Sequence, residues 1–313
     1  MFDIDCAAET ARIARRLVEI VSRVLHRRGV VVALSGGVDS SVCAALAVRA
    51  FGPQRVLGLL LPERDSAAAT TRLGRLVAEG LGIEYRVEDI GATLEAIGCY
   101  RWRDEAIRAI FPRYGEGWLS KIAIDAAGGL TFFKLVVQSP AGEVLEQRMG
   151  AREYLQIVAA TSFKQRIRKT LEYFHADRLN YAVLGTPNRL EHDQGFFVKN
   201  GDGSADVKPI AHLYKTEVYA LARHLGLPDG VCNAQPTTDT YSMPQGQDEF
   251  YFSLPYGQMD LALWALNHGV AAAELAAALG MTPAQAERVQ ADIRAKRQAT
   301  APLHLAAQLV TSL

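Results

Sequence analysis

Val30-Val31-Val32-Ala33-Leu34-Ser35-Gly36-Gly37-Val38-Asp39-Ser40-Ser41 is the stretch that decides the fold of this 313-residue chain. Its first five residues are apolar and mostly β-branched. That is how a strand covered on both faces reads in a parallel sheet. Ser35-Gly36-Gly37 interrupts the run, and Ser40 to Phe51 is helical in pattern, closed by Gly52-Pro53. The order strand, Gly-rich turn, helix puts unpaired N–H groups with partial positive charge at the turn. Glycine lets that backbone come close to a phosphate, and the hydroxyls of Ser35 and Ser40 add donors. An acid in such a turn repels phosphate unless it holds a cation, so Asp39 reads as a Mg²⁺ ligand. The loop lacks the lysine of the G-x-x-x-x-G-K-[ST] phosphate loop and is a different device. Out of context the same letters are a Gly-Gly turn with a capping aspartate. The flanking strand and helix favour the phosphate reading.

Outward from this unit the chain alternates. Ala7 to Arg27 has apolar residues at helical spacing. Arg55 to Leu61, Tyr85 to Ile90 and Tyr181 to Gly185 read as strands; Thr70 to Leu81 and Ser162 to Phe174 read as helices. Strands alternating with helices predict an α/β fold with a doubly wound parallel sheet. Two regions break the rhythm. From Tyr100 to Ala160, strand-like runs at Leu130–Gln138 and Glu143–Met149 flank Ser139-Pro140-Ala141-Gly142, which predicts a β-hairpin insertion at about 128–150. From Asn233 to Gly257, a Pro-, Thr-, Gln- and Gly-containing stretch without period predicts a functional loop. Thr282-Pro283-Ala284-Gln285 reads as a capping box opening a C-terminal helix to about Gln298. Residues 1–313 are expected to form a single domain with a helical C-terminal extension.

Composition narrows the function. Formal net charge is zero, so no long-range field draws the chain to nucleic acid or anionic lipid. Apolar residues are 49% and charged residues 22%, as in an ordinary globular chain. Cys6, Cys43, Cys99 and Cys232 form no C-x-x-C pair, which fits a reducing compartment. Cys43, inside an apolar helix, reads as a small buried residue. Met1 to Glu9 carries acids and no basic segment ahead of an apolar run, so it does not read as a signal peptide. No apolar run is long enough to span a membrane. The expectation is a soluble, cytoplasmic protein.

Ser-Gly-Gly-x-Asp-Ser after a buried strand resembles the N-type ATP pyrophosphatases, which cleave ATP between the α and β phosphates. A longer block narrows the resemblance: Leu184-Gly185-Thr186-Pro187-Asn188-Arg189-Leu190-Glu191, then Gly195 to Asp206, then Pro209 to Thr216, continuing through Leu221 to Pro228. This block is similar to the centre of the ammonia-dependent NAD synthetases, and Lys164, Arg166 and Arg168 resemble that family's basic helix. The resemblance implies an adenine nucleotide alpha-hydrolase-like, Rossmann-like fold. It also implies a reaction: ATP, ammonia and nicotinic acid adenine dinucleotide (deamido-NAD) give NAD, AMP and pyrophosphate through an acyl-adenylate.

By position, the resemblance assigns Asp39 and Glu191 to Mg²⁺, with Lys215 beside them as catalytic residues. It assigns Ser35, Gly36, Gly37, Val38, Asp39, Ser40, Thr186, Lys215 and Thr237 to ATP, and Arg166, Lys199, Asp206 and Lys296 to the dinucleotide. Taken singly, Lys199 and Lys215 read as solvated lysines and Glu191 as a first-turn helix acid; their joint order lifts them above that. Phe196, Phe197 and Tyr214 read equally as ring-stacking or core residues. The family implies a homodimer with the dinucleotide at the interface. No glutaminase-sized second domain fits, so ammonia is expected free or from a glutaminase partner.

The sequence also departs from the family's pattern. The usual ammonia-dependent enzymes lack the hairpin. Phe250-Tyr251-Phe252-Ser253 follows the matching Asp248-Glu249 where Glu-Leu-Gly is usual, and Ala295 precedes Lys296-Arg297 in place of an aromatic or histidine. These changes touch the acceptor half and spare the ATP half. An amide synthetase for another carboxylate is therefore the main alternative, ahead of a tRNA-modifying ATP pyrophosphatase and a non-catalytic nucleotide-binding protein.

Overall fold

The valines around the turn form the centre of the sheet. In a computed structural model, which describes residues 2–125, 132–235, 241–246, 251–252 and 254–311, Val30, Val31 and Val32 are fully buried. The elements run α1 (Cys6–Val18), β1 (Val30–Ala33), α2 (Val38–Phe51), β2 (Val56–Leu60), α3 (Ala68–Gly80), β3 (Glu84–Val87), α4 (Gly91–Ile97) and α5 (Cys99–Arg108). Then come β4 (Leu119–Asp125), β5 (Phe132–Gln138), β6 (Val144–Arg148), α6 (Ala151–Leu179), β7 (Ala182–Val183), α7 (Arg189–Gln194), α8 (Lys215–His224), α9 (Asp229–Cys232), α10 (Tyr256–Asn267), α11 (Ala272–Leu279) and α12 (Pro283–His304).

The main sheet is parallel in the order β3-β2-β1-β7. Val31 pairs with Leu57 on one side and Val183 on the other. Side chains alternate across a strand. Val30 and Val32 therefore pack with Val42 and Leu46 of α2 and Leu17 of α1, while Val31 packs on the opposite face with Leu57, Leu94 and Ala176. Each such side chain contributes roughly 1.5–3 kcal/mol by leaving water. The chain winds outward from β1 to β3 and then returns to β7 on the other side of β1. Adjacent loops diverge at that reversal, which opens a crevice at the carboxyl ends of β1 and β7.

The excursion is larger than the predicted hairpin. It is a three-stranded antiparallel sheet, β4-β5-β6, that begins at Leu119. Ser120, Ile122 and Ile124 alternate with polar or small residues along β4, a half-buried period of two. Its inner face packs Ile122, Leu135 and Val137 against Ile107 of α5 and Ile157 of α6. The predicted helix at 162–174 also extends further, from Ala151 to Leu179. Its early turns follow the excursion directly. The predicted first helix passes into a π-helical turn at Glu19–Val24, and His26 takes a positive φ of 53° before Gly29.

The predicted capping box is present: Thr282 accepts from the N–H of Gln285, and the helix continues to His304. Helices α10 to α12 pack into a separate apolar cluster with Phe252, Tyr214 and Phe2. Among the described residues no helix is long and apolar enough to cross a membrane. Cys43, Cys99 and Cys232 are buried and all four cysteines are free.

Candidate functional site

The turn after β1 is shaped by its own hydroxyls. Ser40 and Ser41 Oγ both donate to the carbonyl of Gly37, at 3.1 and 2.8 Å. Ser35 Oγ lies 3.2 Å from Ser40 Oγ and accepts from the N–H of Gly37. The two glycines have different roles. Gly36 has φ +76°, and a Cβ there would meet the carbonyl of Thr70 at 2.5 Å. Gly37 is the N-cap of α2, and a Cβ there would meet only Ser35 Oγ, at 3.3 Å. Gly36 thus seats the turn against α3, while Gly37 presents bare backbone to the crevice. The first N–H groups of α2 have no intrahelical acceptor and carry partial positive charge toward the crevice.

Asp39, in the first turn of α2, gathers residues from distant segments. Lys215 Nζ donates to Asp39 Oδ2, and Asn188 Nδ2 donates to Asp39 Oδ1 at 3.0 Å. Asn188 is also the N-cap of α7, in a capping box with Glu191, whose N–H it accepts at 3.2 Å. Asn188 therefore holds both candidate metal carboxylates, Asp39 through its side-chain amide and Glu191 Oε2 through its backbone N–H at 3.2 Å. Lys215 is 2% exposed. Burial alone would lower its pKa, but the Asp39 and Glu191 carboxylates outweigh that and hold the ammonium above its ordinary value. Lys215 is placed by Asp260, a fully buried carboxylate that accepts from the N–H groups of Lys215 and Thr216 at 3.1 and 2.8 Å. Burial pushes Asp260 up to about 6, against the pull of those same N–H groups.

Ser35 to Ser40, Glu191 and Lys215 line one cavity of about 1460 Å³, with Asn188 and Asp260 behind the lining. Of the sequence-predicted site residues, Ser35, Gly36, Gly37, Val38, Asp39, Ser40, Thr186, Glu191, Lys215 and Lys296 all line it. Lys296 Nζ donates to Asp292 Oδ2 at 2.6 Å and to the Tyr251 carbonyl. Arg166, Lys199 and Asp206 lie outside the lining. Arg166 Nε donates to the Lys199 carbonyl at 3.3 Å, and Lys199 Nζ donates to the carbonyls of Pro302 and Leu305. Asp206 Oδ2 accepts the N–H of Val183 at 2.8 Å, so its carboxylate closes the short β7. Thr237, Asp248 and Glu249 fall outside the described residues.

Sequence reasoning missed Asn188, Asp260 and a polar cluster along α6. Asn188 was findable, because Asn-x-x-Glu before a helix is a capping pattern. In the cluster, Lys169 donates to Glu172 at 2.7 Å, with Arg168 and Asp202 nearby on the cavity. Burial raises the pKa of Glu172, opposed by Lys169. No motif announces it, since its members come from two segments.

Chemically, the crevice offers an anion-binding backbone, a charged buried lysine and two carboxylates. Among the described residues no group of three or more His, Cys, Asp or Glu side chains gathers to hold a metal. That fits Mg²⁺, which commonly takes one or two carboxylates and completes its shell with phosphate oxygens and water.

Residues 10–108 and 133–299 match the family model described as NAD synthase. A relative from Rhizobium meliloti, named NH(3)-dependent NAD(+) synthetase, is 59% identical over 310 residues, 98% of this chain and 92% of the relative. An alignment of that length runs across the three-stranded sheet, although the family model passes over residues 109–132. Among solved structures, an NMN synthetase from Francisella tularensis superposes with TM-score 0.67 at 20% identity, covering 98% of this chain and 99% of that one. An NH3-dependent NAD synthetase from Campylobacter jejuni superposes with TM-score 0.66 at 21% identity, covering 99% and 100%. At these identities the solved structures show a shared fold.

Proposed function

The chain belongs to the NAD synthase family, and from that premise we propose that it joins ammonia to the carboxylate of deamido-NAD at the expense of ATP. The products are NAD, AMP and pyrophosphate. The observation that carries the reading is the convergence of Asp39, Asn188, Glu191 and Lys215 on the turn at Ser35. These residues come from the N-terminal turns of α2, α7 and α8, and they meet where a doubly wound sheet receives its ligand.

The acceptor carboxylate forms a bond to the α-phosphorus of ATP, and the bond to the departing pyrophosphate breaks. Ammonia then attacks the acyl carbon, AMP leaves, and the nitrogen loses a proton. In the first step the bare backbone at Gly37 and the first N–H groups of α2 receive the outgoing diphosphate. Lys215 adds a fixed positive charge where negative charge gathers, in a site that excludes much of the water. Asn188 keeps Asp39 oriented, and Asp260 keeps Lys215 on the cavity wall. Asp39 and Glu191 are the side chains that would hold Mg²⁺, which when bound draws charge from phosphate oxygens.

Lys296 and Thr186 are assigned to the ligands within the cavity. Arg166, Lys199 and Asp206 are assigned to the acceptor on an outer face, where a second copy of the chain completes the site. Thr237 is kept as an ATP contact. The protein works in the cytoplasm as a homodimer of a single 1–313 unit, with ammonia free or delivered by a glutaminase partner.

The test is a product assay. Purified protein with ATP, Mg²⁺, ammonium and deamido-NAD should release NAD and AMP in equal amounts. Ammonium-dependent AMP release with another carboxylate, and none with deamido-NAD, overturns the acceptor while keeping the chemistry.

A further inference from the structure

The cavity extends past the turn to the three-stranded sheet. Ile124 of β4 and Phe133 of β5 are paired directly across the sheet, so they share a face. They stand at the end of the inner face whose other members are buried on α5 and α6. Both line the cavity, as does Tyr154 of α6. The Phe133 and Tyr154 rings stack with centroids 4.4 Å apart and an interplanar angle of 18°. The result is a flat, half-buried aromatic wall at the end of the cavity built by the excursion.

We infer that this wall is the specificity surface for the second substrate, packing a planar heteroaromatic ring of the acceptor dinucleotide onto the Phe133–Tyr154 pair. The inference rests on the function proposed above. Three observations direct it. The cavity, at about 1460 Å³, exceeds the roughly 300–1,000 Å³ that one drug-sized ligand fills, so it has room for two. Next to the turn, the apolar lining comes from Leu60 and Leu61 at the end of β2 and from Leu73 of α3. That is where a nucleotide with its phosphates on the turn lays its base, which leaves the far wall to the other substrate. Finally, β4 lies within the 109–132 stretch that the family model passes over. The wall is thus partly built by residues outside the common family pattern.

Aromatic pairs favour offset stacking and gain about 0.5–1.5 kcal/mol beyond burial, a two- to tenfold effect on affinity. The test compares Phe133→Leu, which keeps apolar volume without the ring, with Phe133→Tyr, which keeps the ring. Thermal melting confirms that both are folded. Phe133→Leu should raise KM for deamido-NAD two- to tenfold, weaken its equilibrium binding in the absence of ATP by the same factor, and leave KM for ATP unchanged. Phe133→Tyr should match the wild type in all three. Repeating the series with nicotinic acid mononucleotide, which lacks the adenylate half, identifies the ring: a retained effect assigns the pyridine ring, a lost effect the adenine. A rise in KM for ATP, or unchanged acceptor binding in folded Phe133→Leu, overturns the inference. If the wild type makes no NAD, the proposed function fails first; if it makes NAD and Phe133→Leu matches it, only the wall fails.

Discussion

The two ends of the cavity are built by opposite means. At the turn end, backbone and short polar side chains are tied to one another, with Ser40 and Ser41 closing on the Gly37 carbonyl, Ser35 accepting the Gly37 N–H, and Asn188 and Lys215 closing on Asp39. At the sheet end, Ile124, Phe133 and Tyr154 offer apolar surface with few polar anchors. The first end depends on geometry fixed within a few residues of sequence. The second depends on how a whole sheet is held against α6. A phosphate needs donors at set positions, whereas a ring needs a flat surface and exclusion of water. The difference teaches that changes at the turn should strike catalysis, and changes at the sheet should strike recognition.

The largest expected effect is at Asp39. Asp39→Asn keeps volume and removes the charge that pairs with Lys215 and that, in the proposed function, would hold the cation. Turnover, read as AMP release, should fall on the order of 10²–10³-fold, while deamido-NAD binding stays near wild type. Turnover within a factor of about three of wild type would break the contrast between the two ends. Next come the paired glycines. Gly36→Ala forces a side chain into a positive φ and onto the Thr70 carbonyl, at a cost of about 1–3 kcal/mol, visible as a lower melting temperature. Gly37→Ala meets only the rotatable Ser35 hydroxyl, at 3.3 Å, and should melt close to wild type, yet raise KM for ATP if the phosphate approaches there as proposed. Equal melting losses in both variants would remove the division of roles.

The legibility of the molecule follows the same division. Val30–Leu34 and the following turn declared a buried strand and a glycine turn into a helix, because apolar runs and glycine spacing are local signals. Glu191 and Lys215 were reachable through their order in a resembling block. The excursion was read as a hairpin because Ser139–Gly142 is a strong turn, while β4 precedes Gly128-Gly129 and its alternation, with Ser120 and Lys121 in it, is a weaker signal than the apolar run that follows. Phe133 and Tyr154 gave no sign of meeting, since one is on a strand and the other on a helix and only packing of the sheet on α6 unites them. Asp260 was silent for a similar reason: it caps α8 from a helix 45 residues away.

Asp260 supplies a pH test of the turn end. Its folded pKa is raised to about 6 from 3.8 by burial. Between those values the folded chain binds more protons than the unfolded chain, so this group's contribution to stability falls as pH rises from 3.8 to 6. Asp260→Asn should remove that slope, on the order of 2 kcal/mol across the window, as read from denaturant unfolding at several pH values. An unchanged slope would mean that the carboxyl is ionised without penalty.

The smallest expected effect concerns the sheet end. Ser242 Oγ accepts the N–H of Ser120 at 2.9 Å, and Gln245 Nε2 donates to the Ile122 carbonyl at 2.6 Å. This short segment closes the outer edge of β4. Ser242→Ala should cost about 1 kcal/mol and speed amide exchange of Ser120, leaving turnover at saturating substrate unchanged. Loss of turnover instead would tie the sheet to the chemistry at the turn.

The central claim, that the turn beginning at Ser35 receives the phosphates of ATP, is tested most directly by amide NMR of the deuterated chain titrated with ATP and Mg²⁺. The account predicts that the amide signals of Gly36, Gly37, Val38 and Asp39 shift at saturation and stay near their free positions in Asp39→Asn at the same concentration. Saturating ATP with shifts confined to other parts of the chain would contradict it.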